Sequence, residues 1–263
     1  MERSTFAPRG ARGLAAAAAL AAAACADASP LVTVEGGLYA PALDGHVGLS
    51  STVTTDVDTI DLDSSLDLGS RQYVPYLRGE VNLAGFDLAV SGFRVSESGT
   101  GTVTADFGDI TAGSTVNSQV DLGFAHAALC YDFLQTKIVT LGAGVGADYF
   151  DLDLDVHETA FALSESVQVR QGLPLLVARG VVSTPVVPLD LQLEVSGISG
   201  HYKDLDGTLF DVEALLHCKV VGPLSVYGGY RYVHFDFSGI ADGRDFDGNV
   251  ALSGFLVGAS VRF

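Results

Sequence analysis

Charged residues in this chain alternate with apolar ones, which places two kinds of chemistry on opposite faces of the same segment. Between residues 189 and 197, for example, Leu189, Leu191 and Leu193 alternate with Asp190 and Glu194. A period of two is that of a β-strand, whose successive side chains point to opposite faces. Such charged faces could pair ions, line a polar pore or supply acids and bases. Across the chain they contain Glu35, Arg78, Glu80, Asp148, Asp190, Glu194, Asp211, Glu213, His217, Lys219, Arg231 and Arg262.

Closely spaced aspartates form a second group of residues that could do chemistry. Carboxylate oxygens are the ligands that Ca²⁺ and Mg²⁺ prefer, so these segments are candidate divalent-cation loops. Neither of them has the spacing of a twelve-residue calcium loop. The alternative is a solvated acidic surface that holds no cofactor. The aspartates concerned are Asp56, Asp58, Asp61 and Asp63 in one segment and Asp151, Asp153 and Asp155 in the other.

The composition combines a strongly acidic balance with a hydrophobic average. The chain has 263 residues and a formal net charge of −18, yet its mean hydropathy is +0.34. This combination indicates that apolar and acidic residues occupy separate zones. The acidic balance excludes nucleic acid as a partner, because nucleic-acid affinity rests on basic residues.

The first 28 residues have the pattern of an export signal. Arg3, Arg9 and Arg12 precede an apolar run over residues 14–24, and small residues follow it. We therefore predict a signal peptide over residues 1–28, with lipidation of Cys25 as an alternative to ordinary cleavage. Cys130 and Cys218 are the cysteines left in the remainder. Both fall on predicted lipid-facing positions of separate strands, which argues against a disulfide.

Residues 29–263 read almost entirely as strands. Ten are predicted, with short turns after every second strand and long Asp-, Gly- and Ser-rich connections after the others. Even strand number and this alternation of connections are typical of a bacterial outer-membrane barrel. Closure is required because every backbone polar group in hydrocarbon must be paired internally. The predicted strands cover residues 32–40, 72–83, 87–95, 118–131, 138–150, 166–182, 189–197, 210–220, 224–234 and 250–263.

The predicted fold is therefore all-β, a single up-and-down antiparallel transmembrane β-barrel of ten strands, with eight strands as the alternative. A soluble β-sandwich or ligand-binding barrel would show the same alternation, with the apolar face inside. The export signal, the unequal connections and the terminal Phe263 favour the membrane barrel. Phe263 resembles the aromatic signal read by the outer-membrane assembly machinery. We expect both termini in the periplasm and a monomer surrounded by lipid and lipopolysaccharide.

Three residues on two of the predicted strands do not fit this scheme. His126 falls on the predicted lipid face of its strand, where a histidine is unexpected. Arg170 and Arg179 have opposite parity on one predicted strand, which predicts a bulge near residues 172–174.

The charged faces predict a barrel interior filled by ion pairs, because isolated charges there would be costly. The expected role is structural or at the cell surface, without catalysis. A narrow cation-preferring channel is the first alternative, since acidic lining residues are in excess. An omptin-like protease is the second, because Asp56–Asp58 and Asp155–His157 could imitate its Asp pair and Asp–His pair. Ca²⁺ or Mg²⁺ could bridge the acidic loops to lipopolysaccharide phosphates.

Several motifs in order along the chain carry a resemblance. They are IDLDSSLDLGS, PYLRGEVNL, GFRVSESGTGTV, YGGYRYVHFD and the closing GFLVGASVRF. Together they resemble a family of small outer-membrane barrels of unknown function from Gram-negative bacteria, from about residue 32 to the end. The resemblance implies the fold and the location, and it brings no activity and no binding residues.

Overall fold

The computed structural model describes residues 31–51, 57–160, 163–202, 205–241 and 244–263. Within these ranges the chain forms eleven β-strands in one antiparallel sheet. The described residues include no helix that is long and apolar enough to cross a membrane. The strands are β1 (Val32–Leu49), β2 (Thr59–Asp61), β3 (Val74–Leu83), β4 (Phe86–Thr102), β5 (Thr115–Gln135), β6 (Val139–Glu158), β7 (Ser164–Ser183), β8 (Leu189–Tyr202), β9 (Leu205–Val221), β10 (Leu224–Ala241) and β11 (Arg244–Arg262).

The sheet closes into a barrel through β1. Val34 of β1 lies opposite Gly79 of β3 on one side and opposite Val261 of β11 on the other. Ten strands form the ring, and the three-residue β2 pairs only with the far end of β1. The predicted all-β, up-and-down antiparallel barrel is confirmed, and the eight-stranded alternative is wrong. The structure adds β2, which the sequence did not indicate.

One end of the barrel, called the lower end here, carries the short turns. These follow β3, β5, β7 and β9, and Val32 and Phe263 lie at the same end. The β3–β4 turn consists of Ala84 and Gly85, with φ values of 53° and 88°. Positive φ at both positions is the conformation of a two-residue hairpin turn, and glycine adopts it without strain.

At the upper end the strands continue where long loops were predicted. β6 extends through the whole DLDLDVHE segment, and β10 and β11 extend through most of residues 239–248. The prediction that Asp151, Asp153 and Asp155 lie in a loop is therefore wrong. Aspartate alternating with leucine still has the period of a strand, and its carboxylates point away from the barrel.

The apolar face changes sides halfway up the wall, which β6 shows most simply. Below Phe150 its outward side chains are apolar and exposed, including Leu141, Val145 and Tyr149. Above that level its outward positions carry Asp151, Asp153 and Asp155, and its inward ones carry Leu152, Leu154 and Val156. The lower half is thus apolar outside and charged inside, whereas the upper half is polar outside and apolar inside.

This exchange corrects the positions that did not fit. On β5 the buried, inward face contains Phe124, His126 and Cys130, so the prediction that His126 and Cys130 face lipid is wrong. On β7 the pairing with β6 is continuous, without the predicted bulge. Arg179 points inward in the lower half and Arg170 points outward in the upper half, so their opposite parity is that of a regular strand.

Aromatic rings and a returning segment fill the upper half. Phe150 packs on Phe235 and Phe237, with ring centroids 5.1 and 5.5 Å away. The segment from β2 to residue 68 covers the wall between β1 and β4 above the start of β3, and its leucines are buried. It approaches Gly99 of β4 so closely that a Cβ there would lie 2.3 Å from the Leu66 carbonyl oxygen.

Candidate functional site: the charged barrel interior

The lower half of the barrel encloses more carboxylates than cations. Of the predicted lining residues, the structure places every one inward, with Lys219 half-exposed at the rim. It adds Asp87, His126, Asp132 and Arg179 to them. Among the described residues of this half, the carboxylates are Glu35, Glu80, Asp87, Asp132, Asp148, Asp190, Glu194, Asp211 and Glu213, and the arginines and lysine are Arg78, Arg179, Lys219, Arg231 and Arg262.

Arg78 of β3 ties together strands on opposite sides of the ring. Its guanidinium, 1% exposed, lies 2.7 Å from Glu213 of β9 and 3.0 Å from Glu194 of β8. The Tyr76 hydroxyl donates to the second Glu213 oxygen at 2.6 Å. Charge-assisted hydrogen bonds of this kind are the strong ones, and they join side chains that no local pattern would pair.

Arg231 of β10 forms the centre of the network. It donates to both oxygens of Asp211, at 3.1 and 2.6 Å, and to Glu213 at 3.2 Å. Its guanidinium carbon also lies 4.9 Å from the centroid of the Phe124 ring, within cation–π range. Arg231 therefore joins the charged lower half to the aromatic upper half.

His126 lies within a ring of carboxylates. Its Nδ1 contacts Asp148 at 2.5 Å and lies 4.0 Å from Asp211, and its Nε2 is 3.0 Å from Glu194. His126, Asp148 and Asp211 have the donor atoms and proximity for a metal ion. However, Arg231 already binds both Asp211 oxygens. The set is therefore better suited to an ion pair than to a metal.

Below this level the interior opens to solvent. A polar cavity of about 630 Å³ lies at the lower end, where Arg179 pairs with Glu80 at 2.6 Å. Arg179 also pairs with Asp87. On other strands, a Glu35 carboxylate oxygen lies at hydrogen-bond distance, 2.8 Å, from Nε2 of His217. These groups line the cavity, whereas Arg78 and Arg231 do not.

Asp190 of β8 completes this lower rim. It accepts from Arg262 at 2.9 Å and lies 3.4 Å from the Lys219 ammonium. Phe263 closes the ladder next to Arg262, donating its N–H to the Val32 carbonyl at 2.8 Å. Its role as an assembly signal stays a prediction.

Sequence analysis missed four members of the network for identifiable reasons. Asp87 and Asp132 flank short turns, where a charge is ordinarily solvated. For His126 and Arg179, the predicted face of the strand was taken from the alternation of its apolar residues. The same signal could have found all four residues. Each lies an even number of positions from other buried residues of its own strand, and therefore on the same inward face.

The predicted cation-binding aspartates are dispersed over the outer wall of the upper half. Asp151 binds Arg170 at 2.8 Å, and Asp153 lies opposite Asp121 of β5. The Ser96 hydroxyl donates to Asp121 and holds the pKa of that carboxyl below its usual range.

The other predicted ligands belong to the segment around β2. Asp61 caps a turn by accepting from the Ser64 N–H at 2.7 Å, Asp58 and Asp63 flank β2, and Asp56 lies outside the described residues. Asp155 and His157 are on the outward face of β6, four strands around the ring from β1. Among the described residues, the Asp–His pair of β6 therefore does not lie beside Asp58, and the omptin-like combination of an Asp pair with an Asp–His pair is not assembled.

Comparison with solved structures gives the same architecture. The outer membrane protease OmpT from Escherichia coli matches with a TM-score of 0.63 at 9% identity, over 88% of this chain and 96% of that chain. Neisserial surface protein A matches with a TM-score of 0.35 at 13% identity, over 90% of this chain and 100% of that chain. The toluene transporter TodX from P. putida matches at 0.34 and 10%, over 94% of each.

No family model and no curated sequence matches the chain. The structural neighbours are outer-membrane β-barrels, and at these identities the likeness to OmpT extends to the fold alone.

Proposed function

We propose that this protein is an integral outer-membrane barrel whose lumen is closed, with a structural or cell-surface role and no catalytic activity. The apolar outer band of the lower half faces lipid, and the polar upper half extends beyond the membrane. Both termini are periplasmic, because the short turns and the termini share the lower end. Outer-membrane barrels have their short turns on the periplasmic side.

The observation that carries the proposal is the group of paired charges around Arg231 at mid-height, which consists of Arg78, Glu194, Asp211, Glu213 and Arg231. Arg231 and Arg78 are 1% exposed and reach across the lumen, Arg231 of β10 to Ser91 of β4 and Arg78 of β3 to Glu194 of β8. Immediately above them, Phe93 and Phe124 stack at 5.2 Å. A layer of paired charges under a layer of packed aromatic rings leaves an ion no continuous water path.

Single-channel recording in a planar bilayer tests the closed lumen. Refolded protein, with folding shown by heat-modifiable migration on a gel, should give no conductance steps. Arg231→Ala should introduce steps, whereas Arg170→Ala on the outer wall should stay silent. Stable cation-selective steps from the unaltered protein would refute the closed lumen and favour the channel alternative.

Cysteine labelling in intact cells tests location and orientation. A cysteine at Ser166, exposed on the outer wall of the upper half, should react with a membrane-impermeant maleimide. A cysteine at Pro185, in the exposed lower β7–β8 turn, should react only after the outer membrane is permeabilised. The reverse pattern would contradict the periplasmic placement of the termini.

We further propose that divalent cations bridge the acidic outer wall to lipopolysaccharide phosphates. Asp121 of β5 and Asp153 of β6 lie opposite each other on neighbouring strands, where a cation would relieve the repulsion between the two carboxylates. Calcium should raise the melting temperature of the barrel in lipopolysaccharide-containing vesicles, and Asp121→Asn should reduce that rise. An unchanged melting temperature would end this proposal.

A further inference from the structure

The barrel wall is open between β7 and β8 in its upper half. Residues 176–183 of β7 pair with residues 190–197 of β8, from Leu176 opposite Gly197 to Ser183 opposite Asp190. Above Leu176, β7 continues to Ser164 paired only with β6, and β8 continues to Tyr202 paired only with β9. Within the described backbone, these two upper edges have no ladder between them.

Local sequence explains where the ladder stops. Pro174 has no N–H to donate, and proline within a sheet is confined to edges and irregular positions. Three residues earlier, the Gln171 side-chain amide donates to the Gly172 carbonyl at 3.2 Å. A side chain thus serves as a partner of the backbone at the level where the ladder with β8 has ended.

The opening begins at the upper limit of the apolar outer band. Leu176, the last paired residue of β7, is 72% exposed on the outer wall. Tyr149 of β6 lies opposite Gly172, and the residues above it on that face are aspartates. Unpaired strand edges are not tolerated in hydrocarbon, so an opening at this level lies where lipid tails give way to water.

Behind the opening is an apolar cavity of about 330 Å³. Its inner wall consists of Phe150, Phe235 and Phe237, all buried and packed on one another, so the cavity ends blindly. Leu173, Pro174 and Ile198 form its sides. A volume of this size is at the lower end of the range for small-molecule sites, which are mainly apolar with few polar groups.

We propose that this cavity binds one acyl chain of an ester-linked membrane lipid, which enters sideways from the outer leaflet. The inference rests on the proposed membrane insertion. Apolar surface is continuous from the outer band at Leu176 through Pro174 into the cavity. The head group stays at the rim, where Gln171 and Thr208 offer hydrogen bonds.

The rim also discriminates between two sources of acyl chain. Among the described residues, those that line the cavity include no lysine, arginine or histidine, and they include Asp206 and Asp236. The carboxylate of a free fatty acid would therefore find no cation there, whereas an ester-linked chain brings no charge to that depth. The site therefore favours a chain from a membrane lipid over a free fatty acid.

Photo-crosslinking in vesicles tests the proposal. The probe is a phosphatidylethanolamine with a diazirine near the end of one acyl chain. Trypsin releases residues 171–179 as one peptide, in which fragment ions separate Leu173 in the cavity from Leu176 on the wall. Crosslinks at Leu173 are expected in addition to those made by surrounding lipid.

Two glycine variants provide the matched comparison. A Cβ at Gly200, which lines the cavity, meets no atom within 4 Å, and neither does one at Gly79 on the outer wall of β3. Gly200→Leu fills the cavity without a backbone clash and should reduce crosslinking at Leu173 roughly tenfold. Gly79→Leu should leave it unchanged. Equal crosslinking at Leu173 in both variants would overturn the proposal.

Competition identifies the source of the chain. An unlabelled monoacylglycerol should displace the crosslink at Leu173, and palmitate should displace it much less. Stronger displacement by palmitate would overturn the assignment to an ester-linked lipid. Crosslinks to Phe255 and Val257, on the outward face of β11, report membrane insertion independently. Their absence would refute the proposed function, whereas their presence without crosslinks at Leu173 would refute only the cavity.

Discussion

Replacing Arg231 by methionine tests how dry the lumen is. The substitution keeps an unbranched side chain of similar length and removes the guanidinium. Asp211 then loses both of its hydrogen bonds to Arg231, whereas Glu213 keeps Arg78 at 2.7 Å. Asp211 therefore becomes a buried carboxylate whose remaining basic neighbour is His126, at 4.0 Å.

The expected loss of stability follows from the burial of that carboxylate. Breaking a buried ion pair by removing one partner costs about 3–5 kcal/mol, because an uncompensated charge remains. Loss of the contact over the Phe124 ring adds about 1 kcal/mol. Arg170→Met is the matched control, because Arg170 pairs with Asp151 at 2.8 Å on the exposed outer wall, close to the 2.6 Å between Arg231 and Asp211. Solvent screens that pair, so its loss should have little effect.

Urea unfolding in lipid vesicles measures the difference, with the folded fraction read from heat-modifiable gel migration. Arg231→Met should lower the unfolding midpoint far more than Arg170→Met. Adding Asp211→Asn to Arg231→Met should recover part of the loss, because it removes the unpaired charge. If Arg231→Met and Arg170→Met are equally stable, water reaches the centre of the lumen and the reasoning for a closed barrel is wrong.

Two further predictions concern packing in the wall. A Cβ at Gly144 would lie 1.9 Å from a carbonyl oxygen of β5, whereas a Cβ at Gly79 meets no atom within 4 Å. Gly144→Ala should therefore destabilise the barrel by about 1–3 kcal/mol in the same unfolding assay, and Gly79→Ala should not. Equal unfolding midpoints for the two variants would contradict the close approach of β5 and β6. Cys130 faces the interior and Cys218 the outer wall, so a lipid-soluble maleimide should modify Cys218 in the folded barrel and reach Cys130 only after unfolding. Rapid labelling of Cys130 in the folded state would contradict its inward position and favour the predicted lipid-facing one.

Local alternation was sufficient to predict the closed antiparallel ring, because a period of two is retained along every long strand. It was insufficient to tell inside from outside. At Asp148, Tyr149 and Phe150 the alternation is uninterrupted, yet the inward residue changes from charged to aromatic within three positions. Which face is buried depends on the surroundings of the wall, which in the proposed membrane placement are lipid below and water above. His126 was misplaced for this reason.

Some sequence motifs acquire a physical role only in the folded chain. The leucines of the DSSLDLG stretch are buried beneath the upper wall, and Gly99 and Gly101 of β4 allow that stretch to approach. Such contacts are distant in sequence, so composition and spacing cannot predict them. The opening between β7 and β8 is similar, because Pro174 indicates an irregularity without saying which edge carries it.

Hydration explains how the lower half holds more carboxylates than cations. The deepest arginines are each paired with two carboxylates, Arg78 with Glu194 and Glu213 across the lumen and Arg231 with Asp211 and Glu213 on the neighbouring β9. At mid-height His126 lies between Asp148 and Glu194, and part of the excess lies lower, beside the polar cavity, where Glu35 and Asp190 are. Water and counter-ions from the lower end can compensate charge there, whereas at mid-height only protein groups can. Ion pairing and burial therefore increase together from the lower rim to Arg231, which supports the proposed closure of the lumen at mid-height.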